Sequence, residues 1–403
     1  MFNVWKLFFM LMMFFPSVTF DLLSAEIFPW AFIASVFFLR HYSKGFFIVL
    51  LFFFFCWALS LFFLGPTDSL RSIASYMNTI FAFAFVLSIS QLQIFKFIKL
   101  IRIIFIILLT LGLLQYFNLV DFLDDIIKFL IPRGSSVALI EANRGVRLLS
   151  SEPARAGNEL IFFYILLRYV YIKPKYRLLS DIFFTLYLLM VIQSFMVIGF
   201  MVLFLLLNMK FKSIMLLLLS STIVIYSGLT FTGGRTVDLI RDIIEIGNWN
   251  DILFFLANTS GHRLITIYSS FLYGIQFPFG AGLGNWYAGS IEAINMTGID
   301  VSKFSYFQFY GGGNVIGTRS SGFLSNIILE TGVIGFLFVL GYILKSLKKY
   351  WYNSKDSKII ILMFLFKILF IGSVGHPIAW ILVVLLLKYI DFEKNNNKNL
   401  KLI

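Results

Sequence analysis

Long apolar runs alternate with short polar breaks along almost the whole chain. A helix that crosses a hydrocarbon core needs about 20 apolar residues, within a range of about 17–25. On that spacing the pattern predicts twelve transmembrane helices, at roughly 4–20, 27–40, 45–65, 74–92, 100–118, 158–171, 179–193, 195–208, 213–229, 322–344, 359–374 and 376–390. Lys6 opens the first run, but no small-residue cleavage site follows it, so it reads as an anchor and not as a signal peptide. Gln193 and Ser194 are the only polar break within 179–208. One long span there would invert the orientation of everything downstream.

The expected fold is all-α, a polytopic integral membrane protein of about 12 transmembrane helices with a large outer loop containing short helices. Six segments follow: membrane helices over 1–118, a first outer loop over 119–157, middle membrane helices over 158–229, the large outer loop over 230–321, C-terminal membrane helices over 322–390, and a polar tail over 391–403. The tail ends "KNNNKNLKLI" and reads as disordered.

Composition agrees. The 403 residues are 60% hydrophobic and 13% charged, with a mean hydropathy of +0.90. No soluble domain has that balance. Cys56 is the only cysteine and lies in an apolar run, which excludes disulfides and thiolate metal sites. His41, His262 and His376 are too scattered to suggest a zinc site, so neither a metal nor another cofactor is expected.

Charge adds sidedness. Twenty-one basic residues, seventeen lysines and four arginines, fall on every second loop and at both termini. Basic residues collect on the cytoplasmic side of short loops, so both termini are expected inside. The net charge of +13 is then a topology signal, and nucleic acid is not needed to explain it. The opposite loops differ in kind. They hold eleven basic residues, of which nine are arginine: Arg71, Arg133, Arg144, Arg147, Arg155, Arg235, Arg241, Arg263 and Arg319. Arginine offers a planar fork that grips phosphate or carboxylate bidentately. The outer face therefore looks built to hold an anion. The plainer alternative is that these arginines pair with nearby acids such as Glu152, Glu159, Asp238 and Asp242.

Two outer segments concentrate the chemistry. "LVDFLDDIIKFLI" reads as an amphipathic interfacial helix that leads through Pro132 to "RGVRLLSSEPARAGNEL". The loop over 230–321 reads as two or three helices joined by glycine-rich turns, and it is too long to be idle. Its "GAGLG" lacks the strand–helix unit of a nucleotide site, and "GGG" at Gly311 to Gly313 reads as a turn.

These residues carry a resemblance. "SGHR" followed by "PFGAGLGNW" resembles the Ser-Gly-Arg element and Pro-x-Gly-x-Gly turn of the O-antigen polymerase (Wzy) family, within the O-antigen polymerase/ligase superfamily. Arg263 and Gly274 fit that family's R-x10-G spacing, and Glu330, Gly332 and Gly335 fit its Glu-x-Gly-x-x-Gly element at the end of the large loop. The chain departs from it where His262 is inserted into the first element. Ser321 also stands where ligases carry a histidine, which favours polymerase over ligase.

The resemblance implies a glycosyltransferase of the bacterial inner membrane, with its active face periplasmic. Its substrate would be an undecaprenyl-diphosphate-linked oligosaccharide, moved onto the next lipid-linked repeat unit during lipopolysaccharide or related polysaccharide synthesis. Membrane lipid and a chain-length regulator protein are the implied partners. Arg147 and Arg263 would stabilise the diphosphate leaving group, with Arg144, Arg155, Arg235 and Arg319 completing the clamp. Glu152 is the first candidate general base, held extended by Pro153, unless it is only an ion-pair partner of Arg147 or Arg155. His262 is the second. Glu330 reads as structural, orienting Arg319 or capping a helix. Lys367 lies within the eleventh span, as a functional group or a snorkelling one. The alternatives are an O-antigen ligase transferring glycan to lipid A core and a lipid-linked oligosaccharide flippase. The absence of a clear repeat and the near lack of charge within the spans weigh against the flippase.

Overall fold

A computed structural model of the protein describes residues 42–64, 69–119, 145–150, 152–208, 262–371 and 374–400, with isolated positions between 246 and 258. Among the described residues the regular structure is helical throughout, without strands. In chain order the helices are α1 (Lys44–Leu64), α2 (Ser69–Ser88), α3 (Gln91–Tyr116), α4 (Pro153–Tyr171), α5 (Arg177–Tyr187), α6 (Phe195–Asn208), α7 (Arg263–Gln276), α8 (Trp286–Met296), α9 (Ser305–Gly311), α10 (Phe323–Trp351), α11 (Lys355–Phe370) and α12 (Ile378–Leu400).

Among the described residues, three stretches are long and apolar enough to cross a membrane: Lys44–Phe62, Gln93–Tyr116 and Phe323–Trp351. Ser72–Ser88 and Met196–Asn208 are apolar but shorter. α1 buries little of its length and turns Leu51, Phe55 and Phe62 outward, which suits a lipid surface and would not suit water. The expected spans at 4–20, 27–40 and 213–229, the amphipathic helix after Leu119, and the side chains of Arg71, Arg133, Arg144, Arg235 and Arg241 lie outside the described residues.

The break at Gln193 divides two helices. α5 continues as a π turn over Leu188–Ile192, and Gln193 then takes a left-handed conformation, φ 50°, that ends it. Contacts to α4 set the directions. Asp181 on α5 receives both arms of the Arg168 guanidinium, at 2.6 and 2.8 Å, and the Tyr164 hydroxyl at 2.6 Å. Farther along that hairpin, Val146 N–H donates to the Val191 carbonyl just before α4 begins. α5 is therefore antiparallel to α4. A side chain at Gly157, near the start of α4, would meet Val197, and Tyr169 near its end donates to Asn208. α6 is therefore parallel to α4, and the two helices of the hairpin run in opposite directions. Arg168, assigned from sequence to the topology charges, is buried in its pair with Asp181.

One apolar core joins α1–α6 and α10–α12, with α4 and α12 central to the packing. α7, α8 and α9 add two small cores of their own, and α7 packs along α10. Some helix ends differ from the pattern. α3 begins at Gln91 and takes Lys96, Lys99 and Arg102 into the helix, because Ser90 and Gln93 form a capping box there. α12 runs on to Leu400, so this part of the tail is helical and not disordered; Lys394 donates to the Asn353 carbonyl at 2.8 Å, tying it to the end of α10.

Candidate functional site

Two helix N-termini meet at one end of the bundle. Pro153 starts α4, since its missing N–H is one that a first turn leaves unbonded anyway. It holds Glu152 extended, φ −144° and ψ 146°, at the N-cap. α7 starts at Arg263, with His262 at its N-cap. Arg263 Nη2 donates to Glu152 Oε2 at 3.1 Å, across 111 positions of sequence, with the side chains 28% and 52% exposed. Glu152, for which Arg147 or Arg155 was the partner expected from sequence, pairs with Arg263. The pair is open to solvent and lies at the positive ends of two helices, an arrangement that favours an arriving anion.

His262 stacks on Tyr306 of α9 with ring centres 4.2 Å apart. Burial, then the Arg263 charge, push its imidazole down to about 4, and Glu152 opposes this only in part. The ring is neutral near pH 7, and its buried Nδ1 has no hydrogen-bond partner among the described residues. Burial, then Tyr310 and the Glu152 charge, hold the Tyr306 phenol above its ordinary value, so it stays a neutral donor.

A second centre surrounds a buried carboxylate, Glu330. The chain breaks α10 at Gly332, whose φ of 67° and ψ of −172° are not helical. In an unbroken helix the carbonyls of Leu329 and Glu330 would bond to the next turn. Here they accept from the N–H groups of Ala281 and Gly282, at 2.8 and 3.0 Å, and Ile334 N–H turns to the Pro278 carbonyl at 3.3 Å. The "PFGAGLG" turn is therefore a strap across the break. Both sides must be glycine: a side chain at Gly332 would stand 2.0 Å from the Pro278 carbonyl oxygen, and one at Gly280, φ +70°, 2.5 Å from the Gly332 nitrogen. Broken backbone inside a membrane helix is tolerated where the protein rebonds it in this way.

The break aims the Glu330 carboxylate inward, where it is fully buried. Gly284 N–H donates to it at 2.7 Å and the Tyr76 hydroxyl at 2.9 Å, and Arg319 Nη2 stands 3.7 Å away. Arg319 also donates to the Ser72 hydroxyl and lies over the Trp286 ring, 5.3 Å from its centre. The Arg263 and Arg319 centres share no hydrogen bond or ion pair among the described residues.

The remaining candidates divide. Arg147 is buried in the segment before α4, where Gln115 clamps both the N–H and the carbonyl of Leu148. Arg155 stands in the first turn of α4. Arg144 and Arg235 lie outside the described residues. Ser72, Tyr76, Asn78 and Thr79 on α2 were not singled out from sequence. Asn78 and Thr79 hold the carbonyls of Gly375 and Val374, at 2.9 and 2.6 Å, so one face of α2 is a polar stripe within an apolar helix. Helical spacing of these small polar groups was the available signal.

No family model matches the chain, and neither does any protein of curated function or any solved structure.

Proposed function

We propose that the protein is a polymerase of lipid-linked oligosaccharides, a glycosyltransferase that moves glycan from a prenyl diphosphate onto the next lipid-linked repeat unit. The observation that carries this reading is the Arg263–Glu152 pair, which joins the two arginine-bearing segments at two helix N-termini. An acceptor hydroxyl oxygen attacks the anomeric carbon, and the bond from that carbon to the diphosphate oxygen breaks. The electron pair leaves with the diphosphate, whose growing charge the Arg263 guanidinium meets in bidentate form. The hydroxyl proton passes to Glu152, which arginine leaves as it turns to the phosphate, or to the neutral His262 ring. Tyr306 and the exposed Tyr310 offer faces on which sugar rings can stack.

The test is chain lengthening by the purified protein on its lipid-linked repeat. Arg263→Ala is expected to slow it by roughly a hundredfold or more, the scale for losing one transition-state donor. Arg263→Lys should restore little, because an ammonium cannot make the fork. Unchanged lengthening in both variants rules out the clamp.

One observation favours a second reading, that of a lipid-linked oligosaccharide flippase. Glu330, Lys367 and His376 are buried ionisable groups within the bundle, the kind of interior charge that transporters carry. A flippase would show normal lengthening defects in cells but no transfer in the purified reaction.

A further inference from the structure

α7 is built inside out for a helix in water. Its large side chains Leu264, Tyr268 and Ile275 face outward, 46%, 56% and 64% exposed, as do Phe277 and Phe279 at the strap, 41% and 74% exposed. Its small polar side chains are the buried ones. The hydroxyls of Thr266, Ser269 and Ser270 bond to carbonyls of their own helix, at 3.0, 3.2 and 2.5 Å. A surface helix in water shows the opposite arrangement, whereas helices packed in lipid meet through small residues. Gly274 extends that packing face: a side chain there would stand 2.4 Å from the Ile328 carbonyl oxygen of α10. From Leu264 to Ile291 no residue is charged, and Arg263 and Glu292 bound the run.

Two long apolar helices measure the depth of the strap. α1 and α10 are antiparallel, since Phe52 meets Phe338 with ring centres 4.6 Å apart and a side chain at Gly45 would meet Tyr342. Lys44 and Lys345 therefore mark the same end. The Leu283 carbonyl accepts from the Ser60 hydroxyl at 2.7 Å, and Ser60 lies about 24 Å along α1 from Lys44. Ile334, whose N–H bonds to the Pro278 carbonyl, lies about 17 Å along α10 from Lys345. Both depths fall short of the thickness of a hydrocarbon core, about 30 Å. In a bilayer that α1 and α10 cross, the strap thus lies inside the apolar layer. Ile334 and Leu337, exposed on α10, continue the outward apolar surface of Phe277 and Phe279. Gly274 against Ile328, then Pro278 against Gly332, show that α7 descends with the first turns of α10. Ile294 near the end of α8 shares a small core with Ile265 near the start of α7, so α8 climbs back.

We propose that α7, the strap and α8 form a re-entrant hairpin. It enters the membrane beside α10 from the side of the Arg263–Glu152 pair and sets Ile275, Phe277 and Phe279 against lipid chains, with Tyr268 at headgroup level. Irregular backbone at that depth is tolerated because Ala281, Gly282 and Leu283 bond to α10 and α1. Part of the large loop is then membrane-embedded, and lipid reaches the helix that begins at Arg263. The hairpin does not depend on the transfer reading.

The test uses the full-length protein in nanodiscs, with Cys56→Ala and single spin labels at Ile275→Cys, Phe279→Cys, Leu337→Cys or Lys303→Cys. Leu337 on α10 is the lipid reference, and Lys303, an exposed charge beyond α8, is the water reference. Collisions with oxygen, which concentrates in hydrocarbon, are compared with collisions with a water-soluble nickel chelate. Labels at positions 275 and 279 are expected to match position 337, with a ratio of oxygen to nickel collisions several-fold above that at position 303. Labels that match position 303 place the hairpin in water and overturn the proposal. Labels reached by neither reagent show a face covered by protein and overturn it too. A second measurement avoids labelling: Phe279→Asp should melt several degrees below Phe279→Ser in nanodiscs, because only the first puts a charge into hydrocarbon. Equal melting of the two variants overturns the lipid contact.

Discussion

At the residue scale, the two carboxylates do different work because their surroundings differ. Glu152 is half-exposed and bonded to one guanidinium, so it can exchange partners during a reaction. Glu330 is sealed among a backbone N–H, a phenol and an arginine. Removing a buried carboxylate strands the groups that point at it, so Glu330→Ala is expected to destabilise the protein by about 2–4 kcal/mol, read by denaturant unfolding in detergent. Glu152→Ala, at a solvent-open pair, should cost under about 1 kcal/mol while stopping lengthening. His262 gives a pH signature. Its folded value of about 4 lies below the ordinary 6.5, so the unfolded chain binds the extra proton first as pH falls. Its effect on stability is absent above pH 6.5 and grows as a loss between 6.5 and 4, up to about 3 kcal/mol. His262→Gln should flatten that part of the stability–pH curve; an unchanged slope would contradict the buried neutral ring.

At the element scale, the joint between α10 and the glycine strap holds Glu330 and Arg319 in place. Glycine substitutions separate its two demands. Gly298 has φ +65° with open space around it, so Gly298→Ala carries only the backbone term, about 1 kcal/mol. Gly332 adds a clash with the Pro278 carbonyl, so Gly332→Ala should cost about 3 kcal/mol or more and release the strap to proteolysis. Equal melting temperatures for the two variants would contradict the joint. The sequence pattern showed both halves of it, "PFGAGLG" and Glu330 to Gly335, because glycines at such spacing stand out. That the halves interlock was not visible, since they are some fifty positions apart and neither has a partner-specific side chain. The polar stripe of α2 was missed for a related reason: Ser72, Tyr76 and Thr79 are tolerated in any apolar helix, and only their burial against Arg319, Glu330 and Val374 gives them roles.

At the scale of the whole molecule, an apolar bundle carries the solvent-open Arg263–Glu152 pair where α4 and α7 begin. The all-helical class was legible from hydropathy alone, since lipid demands that backbone groups bond within a segment. The pairing of Glu152 with Arg263 was not legible, because it depends on how the loops fold back over 111 positions. Lys367 stood out as a charge within a span, but the approach of His376 to Glu159 did not, because only the packing brings the turn before α12 against α4.

The central claim is that this end of the molecule lengthens glycan on a lipid diphosphate. The most direct measurement is a gel of surface lipopolysaccharide from cells lacking the gene and supplied with either the wild-type protein or Arg263→Ala. The account predicts a full ladder with the wild type, and a single-repeat band without a ladder for both the deletion and Arg263→Ala. A full ladder with Arg263→Ala, or a core bearing no repeat at all in the deletion, would contradict it.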